Sequence, residues 1–253
     1  MSTTKGLVLI TGGSSGIGLE LARCFAKNGY SLILVARNKK ELTKAASSLE
    51  EYKVTVRLIV KDLSLQNAAF ELAKEAGDID ILVNNAGFGR YGFFSEIPIE
   101  DELNMISLNI STLTTLTKLF LPKMISRKNG KILNVASTAA FQPGPLMAVY
   151  YATKAYVLHF SEAIANELKG SGVTVTALCP GPTKTGFQKN AKMGHSSLFD
   201  ADAAAVALAG YRGLMKGKTI VIPGIKNRVL TFCVRLFTRN TITAIVRDVN
   251  SRW

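Results

Sequence analysis

The chain has 253 residues, 47% of them hydrophobic, enough to bury one large core, so a single domain is expected. No stretch reaches the ~18 uninterrupted apolar residues of a membrane-spanning helix, and strand-like LVLI begins at Leu7, leaving no room for a signal peptide; a cytoplasmic location is expected. The net charge of +13 is concentrated at one end, where residues 216–253 hold eight basic side chains and one acid, Asp248, and the basic residues are not interleaved with aromatics as a nucleic-acid stripe requires.

Short apolar runs at 7–10, 31–35, 54–60, 79–83, 131–135, 173–179 and 219–222 alternate with longer helical patterns. This alternation predicts an α/β fold: a doubly wound, mostly parallel sheet of seven strands with helices on both faces. Ligands of such sheets bind in the crevice beyond the carboxyl ends of the strands. We place the Rossmann-type domain at 1–225 and a basic, apolar C-terminal helical extension at 226–253. Cys24, Cys179 and Cys233 are widely spaced, which predicts three free thiols. His159 and His195 have no Cys, His or acidic neighbours at ligand spacing, so no metal site is expected.

The first run passes straight into Thr11, Gly12, Gly13, Ser14, Ser15, Gly16, Ile17 and Gly18, with a helix starting near Gly16. Glycines let a backbone turn sharply and approach a diphosphate, and the helix amino terminus supplies unpaired N–H groups and partial positive charge. Further along, Tyr150 and Lys154 lie one helical turn apart, 13 residues after Ser137. A phenol beside an ammonium can move a proton, and a serine hydroxyl can hold a carbonyl oxygen. Tyr151 also shares a helical face with Lys154, and helical geometry alone does not choose between the two tyrosines.

Taken together, TGxxxGxG at 11–18, NNAG at 84–87, Asn109, Ser137, YxxxK at 150–154 and PGxxxT at 180–185 make the chain resemble a short-chain dehydrogenase/reductase over residues 5–225. The glycine spacing and the short length resemble the compact branch of that family. The segment after Pro223 is similar to bacterial members related to the DltE protein. The resemblance implies a carbonyl/alcohol oxidoreductase in which Tyr150 donates the proton, Ser137 holds the substrate oxygen, and Asn109 holds a water of the proton relay. Lys154 would lower the phenol pKa and bind the nicotinamide ribose. The family's four-residue spacing assigns the acid to Tyr150 and leaves Tyr151 to the pocket wall.

The resemblance likewise implies a nicotinamide dinucleotide on Gly12, Ser14, Ser15, Gly16, Ile17 and Gly18. Asp62 and Leu63 would meet the adenine, and Asn84, Ala86 and Gly87 the adenosine half. Tyr150, Lys154, Pro180, Gly181 and Thr185 would meet the nicotinamide side. Where an NAD enzyme of this fold places an acid after the second strand, this chain reads Val35, Ala36, Arg37, Asn38. With no acid to repel a 2′-phosphate and a guanidinium to clamp it, NADP(H) is expected.

Phe88, Tyr91, Phe93, Phe94 and Phe141 follow strand ends and suggest an apolar substrate pocket, and residues 184–199 read as a lid over it. The helical segment 103–124 carries more apolar residues than one buried face needs, predicting a homo-oligomer. In the tail, Arg228, Arg235 and Arg239 fall on one helical stripe amid apolar residues. Such a helix either packs over the substrate cleft or a neighbouring subunit, or lies against anionic lipid. Two non-enzymatic readings stand beside the reductase: an NADPH-binding sensor without turnover, and a membrane-surface or assembly protein.

Overall fold

The computed structural model describes residues 4–191 and 201–252. Its strands are β1 (Leu7–Thr11), β2 (Ser31–Ala36), β3 (Val56–Val60), β4 (Ile81–Asn84), β5 (Gly130–Val135), β6 (Val173–Leu178) and β7 (Ile220–Val221). They form a seven-stranded sheet in the order β3-β2-β1-β4-β5-β6-β7, and every pair is parallel. All seven apolar runs became strands, and the order reverses between β1 and β4. The third strand starts later than its apolar run because Lys53 adopts a left-handed turn at φ 54 just before it.

The helices are α1 (Gly16–Lys27), α2 (Lys39–Ser47), α3 (Ala68–Ala76), α4 (Ile99–Ile106), α5 (Leu113–Ser126), α6 (Ala148–Glu167), α7 (Phe187–Asn190), α8 (Ala203–Met215), α9 (Ile225–Cys233) and α10 (Arg239–Asn250). Strand side chains alternate between two cores, as a period of two requires. From β1, Val8 and Ile10 join Leu21 and Phe25 of α1, Leu42 of α2 and Leu214 of α8. Leu9 joins Leu72 of α3 and Leu116, Phe120 and Met124 of α5 on the opposite face. Both faces are thus covered, which is why the strands are apolar throughout rather than alternating.

Of the apolar segment 103–124, Leu116, Phe120 and Met124 join this second core, and Leu113 packs with Val157 and Leu158 of α6. Met105, Leu113, Leu116, Phe120 and Met124 are buried, while Leu103 and Ile106 stay exposed. Between α4 and α5 the chain winds as a π-helix over Ser107–Thr112.

The tail departs from the single helical stripe. α9 runs into a 3₁₀ turn at Val234–Leu236, Phe237 is extended, and Thr238 caps a new helix by accepting a hydrogen bond from the Thr241 N–H. Arg239 therefore starts α10 and does not share a helix with Arg228 and Arg235. A threonine N-cap, which satisfies an otherwise orphaned amide, ended the pattern.

Candidate active site

At the carboxyl end of β1 the chain turns through Gly12 and Gly16, both at positive φ, into α1. A Cβ on Gly12 would stand 2.8 Å from the Asn85 amide nitrogen, and one on Gly18 would stand 2.2 Å from the Gly12 carbonyl oxygen. Neither position has room for a side chain. Thr11 staples the turn to β4: its hydroxyl accepts from the Asn85 and Ala86 amides, both at 3.0 Å, and donates to the Val83 carbonyl. Asn85 returns the tie by donating to the Thr11 and Gly12 carbonyls at 2.9 and 3.1 Å. The first turn of α1 contains no acid, so its amino terminus keeps its positive end for an anion.

Gly12, Ser14, Ser15, Gly16 and Ile17 line one end of a cavity of about 790 Å³, together with Arg37, Asp62, Leu63, Ala86 and Gly87. Gly18 and Asn84 do not face it. Gly18 serves the close approach of helix and turn, and Asn84 is buried in the sheet, donating to Thr117 Oγ1 and Asn134 Oδ1. Beyond β2, the Arg37 guanidinium lies 3.7 Å from the Asp62 carboxylate, with most of the arginine side chain in solvent. Burial works against the Asp62 anion, but hydrogen bonds from Ser64 and the Arg37 charge outweigh it and hold the carboxyl below its usual range.

At the other end of the cavity, Ser137, Tyr150 and Lys154 converge from the end of β5 and from α6. The Ser137 side chain hydrogen-bonds the Tyr150 phenol and also accepts from the Ala139 amide at 3.1 Å. Lys154 is buried, and its Nζ donates to the Val135 carbonyl at 2.8 Å. It lies 5.8 Å from the centre of the Tyr150 ring. Burial pushes the Lys154 ammonium down to about 8, the nearby Cys179 acting weakly the other way. Burial also pushes the Tyr150 phenol well above its ordinary value; Ser137 opposes this and Tyr151 adds to it. Desolvation dominates a phenol that sits against Phe187 and Tyr151 and outweighs the lowering expected of Lys154.

Asn109 sits in the π-helix with its side chain fully engaged. Its oxygen accepts from the Phe88 amide, and its nitrogen donates to the Phe88 carbonyl and Thr153 Oγ1. It pins the 86–88 loop over Lys154, where a Cβ on Gly87 would lie 2.9 Å from Asn109 Oδ1.

A family model for short chain dehydrogenases matches residues 6–195. The chain belongs to the short-chain dehydrogenase/reductase family. It is 39% identical to the uncharacterized oxidoreductase YvrD of Bacillus subtilis (strain 168) over 182 residues, 71% of this chain and 69% of that one. Three further curated relatives are matched over 54%, 62% and 58% of their own length. Among solved structures, a short-chain dehydrogenase from Sphingobium yanoikuyae in complex with NADPH is 33% identical. It superposes with a TM-score of 0.83 over 87% of this chain and 88% of that one. The bulky-bulky ketone specific alcohol dehydrogenase from Comamonas testosteroni is 31% identical, with a TM-score of 0.80 over 92% of this chain and 93% of the other. The chain is thus a nucleotide-binding oxidoreductase of this family.

Within this short-chain dehydrogenase/reductase fold, Pro180, Gly181 and Thr185 line the cavity. The aromatic set does not. Only Phe88 reaches the cavity; Tyr91 hydrogen-bonds the Asn250 carbonyl, Phe93 and Phe94 are exposed, and Phe141 packs against α6. The apolar wall comes instead from the tail, through Leu230, Val234, Phe237, Ile242, Val246 and Val249. The C-terminal residues therefore wall this cavity. Nothing local in the sequence tells a cleft wall from an outward face, because both use the same aliphatic residues at helical spacing. Of the segment 184–199 expected as a lid, Thr185, Gly186, Phe187 and Gln188 line the cavity, while 192–199, His195 among them, lie outside the described residues. Cys24, Cys179 and Cys233 are free.

Proposed function

We propose that the protein is an NADP(H)-dependent reductase that converts an apolar ketone to a secondary alcohol. The observation that carries this reading is the Ser137–Tyr150–Lys154 cluster meeting both the glycine-rich cradle and an apolar wall in one cavity. The cradle suits a dinucleotide, since its turn admits no side chains and ends on an uncompensated helix amino terminus. When bound, the dihydronicotinamide supplies the hydride to the carbonyl carbon. Tyr150 gives its phenolic proton to the carbonyl oxygen while Ser137 donates a hydrogen bond to the same oxygen. A phenol pushed upward by burial is fully protonated at neutral pH, the form that reduction requires.

Lys154, with two of its N–H groups still available beyond the Val135 bond, holds the ribose and stands beside Tyr150 for proton resupply. Asn109 would hold the relay water through its backbone, because its side chain is spent on Phe88 and Thr153. Arg37 pairs with the 2′-phosphate, and Asp62, Leu63, Ala86 and Gly87 bound the adenosine end. The roles of Gly18 and Asn84 are indirect, through packing and the sheet. The NADPH-bound and bulky-ketone structures reported above support both halves of this reading. The test is a panel of ketones followed by NADPH oxidation. We expect turnover to rise from small polar to bulky apolar ketones, and no consumption of NADPH with any ketone would refute the reading.

A further inference from the structure

We propose that the outer face of α9 and α10 docks on an anionic lipid surface, with the mouth of the substrate cavity turned toward the lipid. Four large side chains, Leu230, Phe237, Ile245 and Val249, both line the cavity and stand about half exposed, so they form its rim. Outside the rim, Ile225, Val229, Phe232 and Leu236 point into solvent, Leu236 at 66% exposure. Together they form a ridge of aliphatic and aromatic groups far larger than isolated surface apolar residues would make. Arg235, Arg239 and Arg247 flank the ridge, and the tail's only acid, Asp248, pairs with Arg252.

The ridge is held in place. Asn250, buried at the end of α10, donates to the Pro145 carbonyl at 2.8 Å, and its own backbone and side-chain oxygens accept from the Tyr91 and Tyr151 hydroxyls. α9 seats Asn227 against Gly181, where an added Cβ would meet its side chain at 2.7 Å, and buries Thr231. The exposed side chains are thus set on a fixed scaffold and do not fold back onto the cavity.

Charge chooses the occupant. A second copy of this face would bring two sets of arginines together with no acids between them. An acidic protein would answer the arginines but not a ridge of protruding leucine and phenylalanine. A bilayer offers phosphates in one layer and hydrocarbon directly beneath, matching cations that flank a protruding apolar ridge. The docking itself is independent of catalysis. Its consequence, that a lipid-dissolved ketone enters past the rim, rests on the function proposed above.

The test is co-sedimentation of the full chain, loaded with NADPH, with phosphatidylcholine vesicles that do or do not contain phosphatidylglycerol. We expect sedimentation with the anionic vesicles at low salt, and at least tenfold weaker binding to neutral vesicles or at high salt. Phe232→Ser with Leu236→Ser, and separately Arg235→Glu with Arg239→Glu, should each weaken vesicle binding at least tenfold while NADPH binding is unchanged. If the apolar pair fails to fold, the charge pair decides. A full chain that stays in the supernatant of anionic vesicles at low salt overturns the proposal, as do variants that bind like the parent. So does retention on heparin without vesicle binding, or an oligomer that the Phe232/Leu236 variant dissociates while vesicles are ignored. Vesicle binding without ketone reduction would leave the docking intact and remove the reductase reading.

Discussion

Tyr150 and Tyr151 share a helix and a cavity wall, but their hydroxyls have different partners: Ser137 for the first, Asn250 for the second. Tyr150→Phe should lower ketone reduction by on the order of 10²–10⁴-fold and leave NADPH binding largely intact, since the lost hydroxyl works in proton transfer more than in holding the cofactor. Tyr151→Phe should keep most of the activity; steady-state rates with fluorescence titration of NADPH separate the two, and exchanged effects would move the acid to Tyr151. Arg37→Ala should weaken NADPH by about 10–100-fold, the equivalent of ~1.5–3 kcal/mol for a hydrogen bond to a charged group, and leave NADH nearly unchanged. Equal losses for both cofactors would remove the 2′-phosphate role. Lys154 carries a stability consequence. Its pKa falls from 10.5 to about 8 on folding, so between those values the unfolded chain binds the proton and the folded chain does not. The contribution of this group to stability therefore rises with pH across that window, and its destabilising effect is full below pH 8. Thermal denaturation of the cofactor-free protein should show Lys154→Met gaining most over the parent at neutral pH, with the gap closing as pH climbs through the window.

At the scale of elements, the β1–α1 turn is the tightest joint in the site. A Cβ at position 18 would meet backbone, the Gly12 carbonyl, which cannot swing aside as a side chain can. Gly18→Ala should therefore cost about 1–3 kcal/mol, read as a lower urea midpoint, and should weaken NADPH binding by displacing Gly12. A variant as stable as the parent would mean that α1 can slide away from the turn. This joint was legible in the sequence because glycine spacing reports a backbone constraint directly. The tail was not, since Thr238 reads equally as a helical surface residue and as a cap, and only the extended Phe237 before it decides which. The catalytic segment shows the same division: YxxxK gave the partners, whereas the direction of the Tyr150 shift depended on how Phe187 and Tyr151 enclose the ring.

Across the whole molecule, exposed Leu103 and Ile106 of α4 lie beside α6, where half-exposed Tyr156 stacks on Phe160 at 5.6 Å. This patch is on elements other than the α9–α10 ridge, and we propose it as the contact between subunits of a homo-oligomer. Light scattering at micromolar concentration should give at least a dimer, and Leu103→Glu should yield a monomer. A monomeric parent protein would contradict it. Among the described residues no helix is long and apolar enough to cross a membrane.

The sequence by itself determined the order of strands and helices along the chain and the glycine-rich turn, because each depends on local spacing or on a constraint that one residue type satisfies; it pointed to Ser137, Tyr150 and Lys154 only through the family resemblance, since spacing alone leaves Tyr151 beside Tyr150. The parallel sheet followed from the same alternation, since strands covered on both faces must be apolar throughout. Tertiary structure alone decided that Asn84 lies within the sheet, that Asn109 spends its side chain on the 88 loop, and that Phe93 and Phe94 leave the cavity while the tail closes it. These outcomes depend on which surfaces meet across more than a hundred residues of chain, as when Asn250 reaches Tyr91 and Pro145. An apolar residue at helical spacing is compatible with either side of such a contact, and its neighbours in space settle which side it takes.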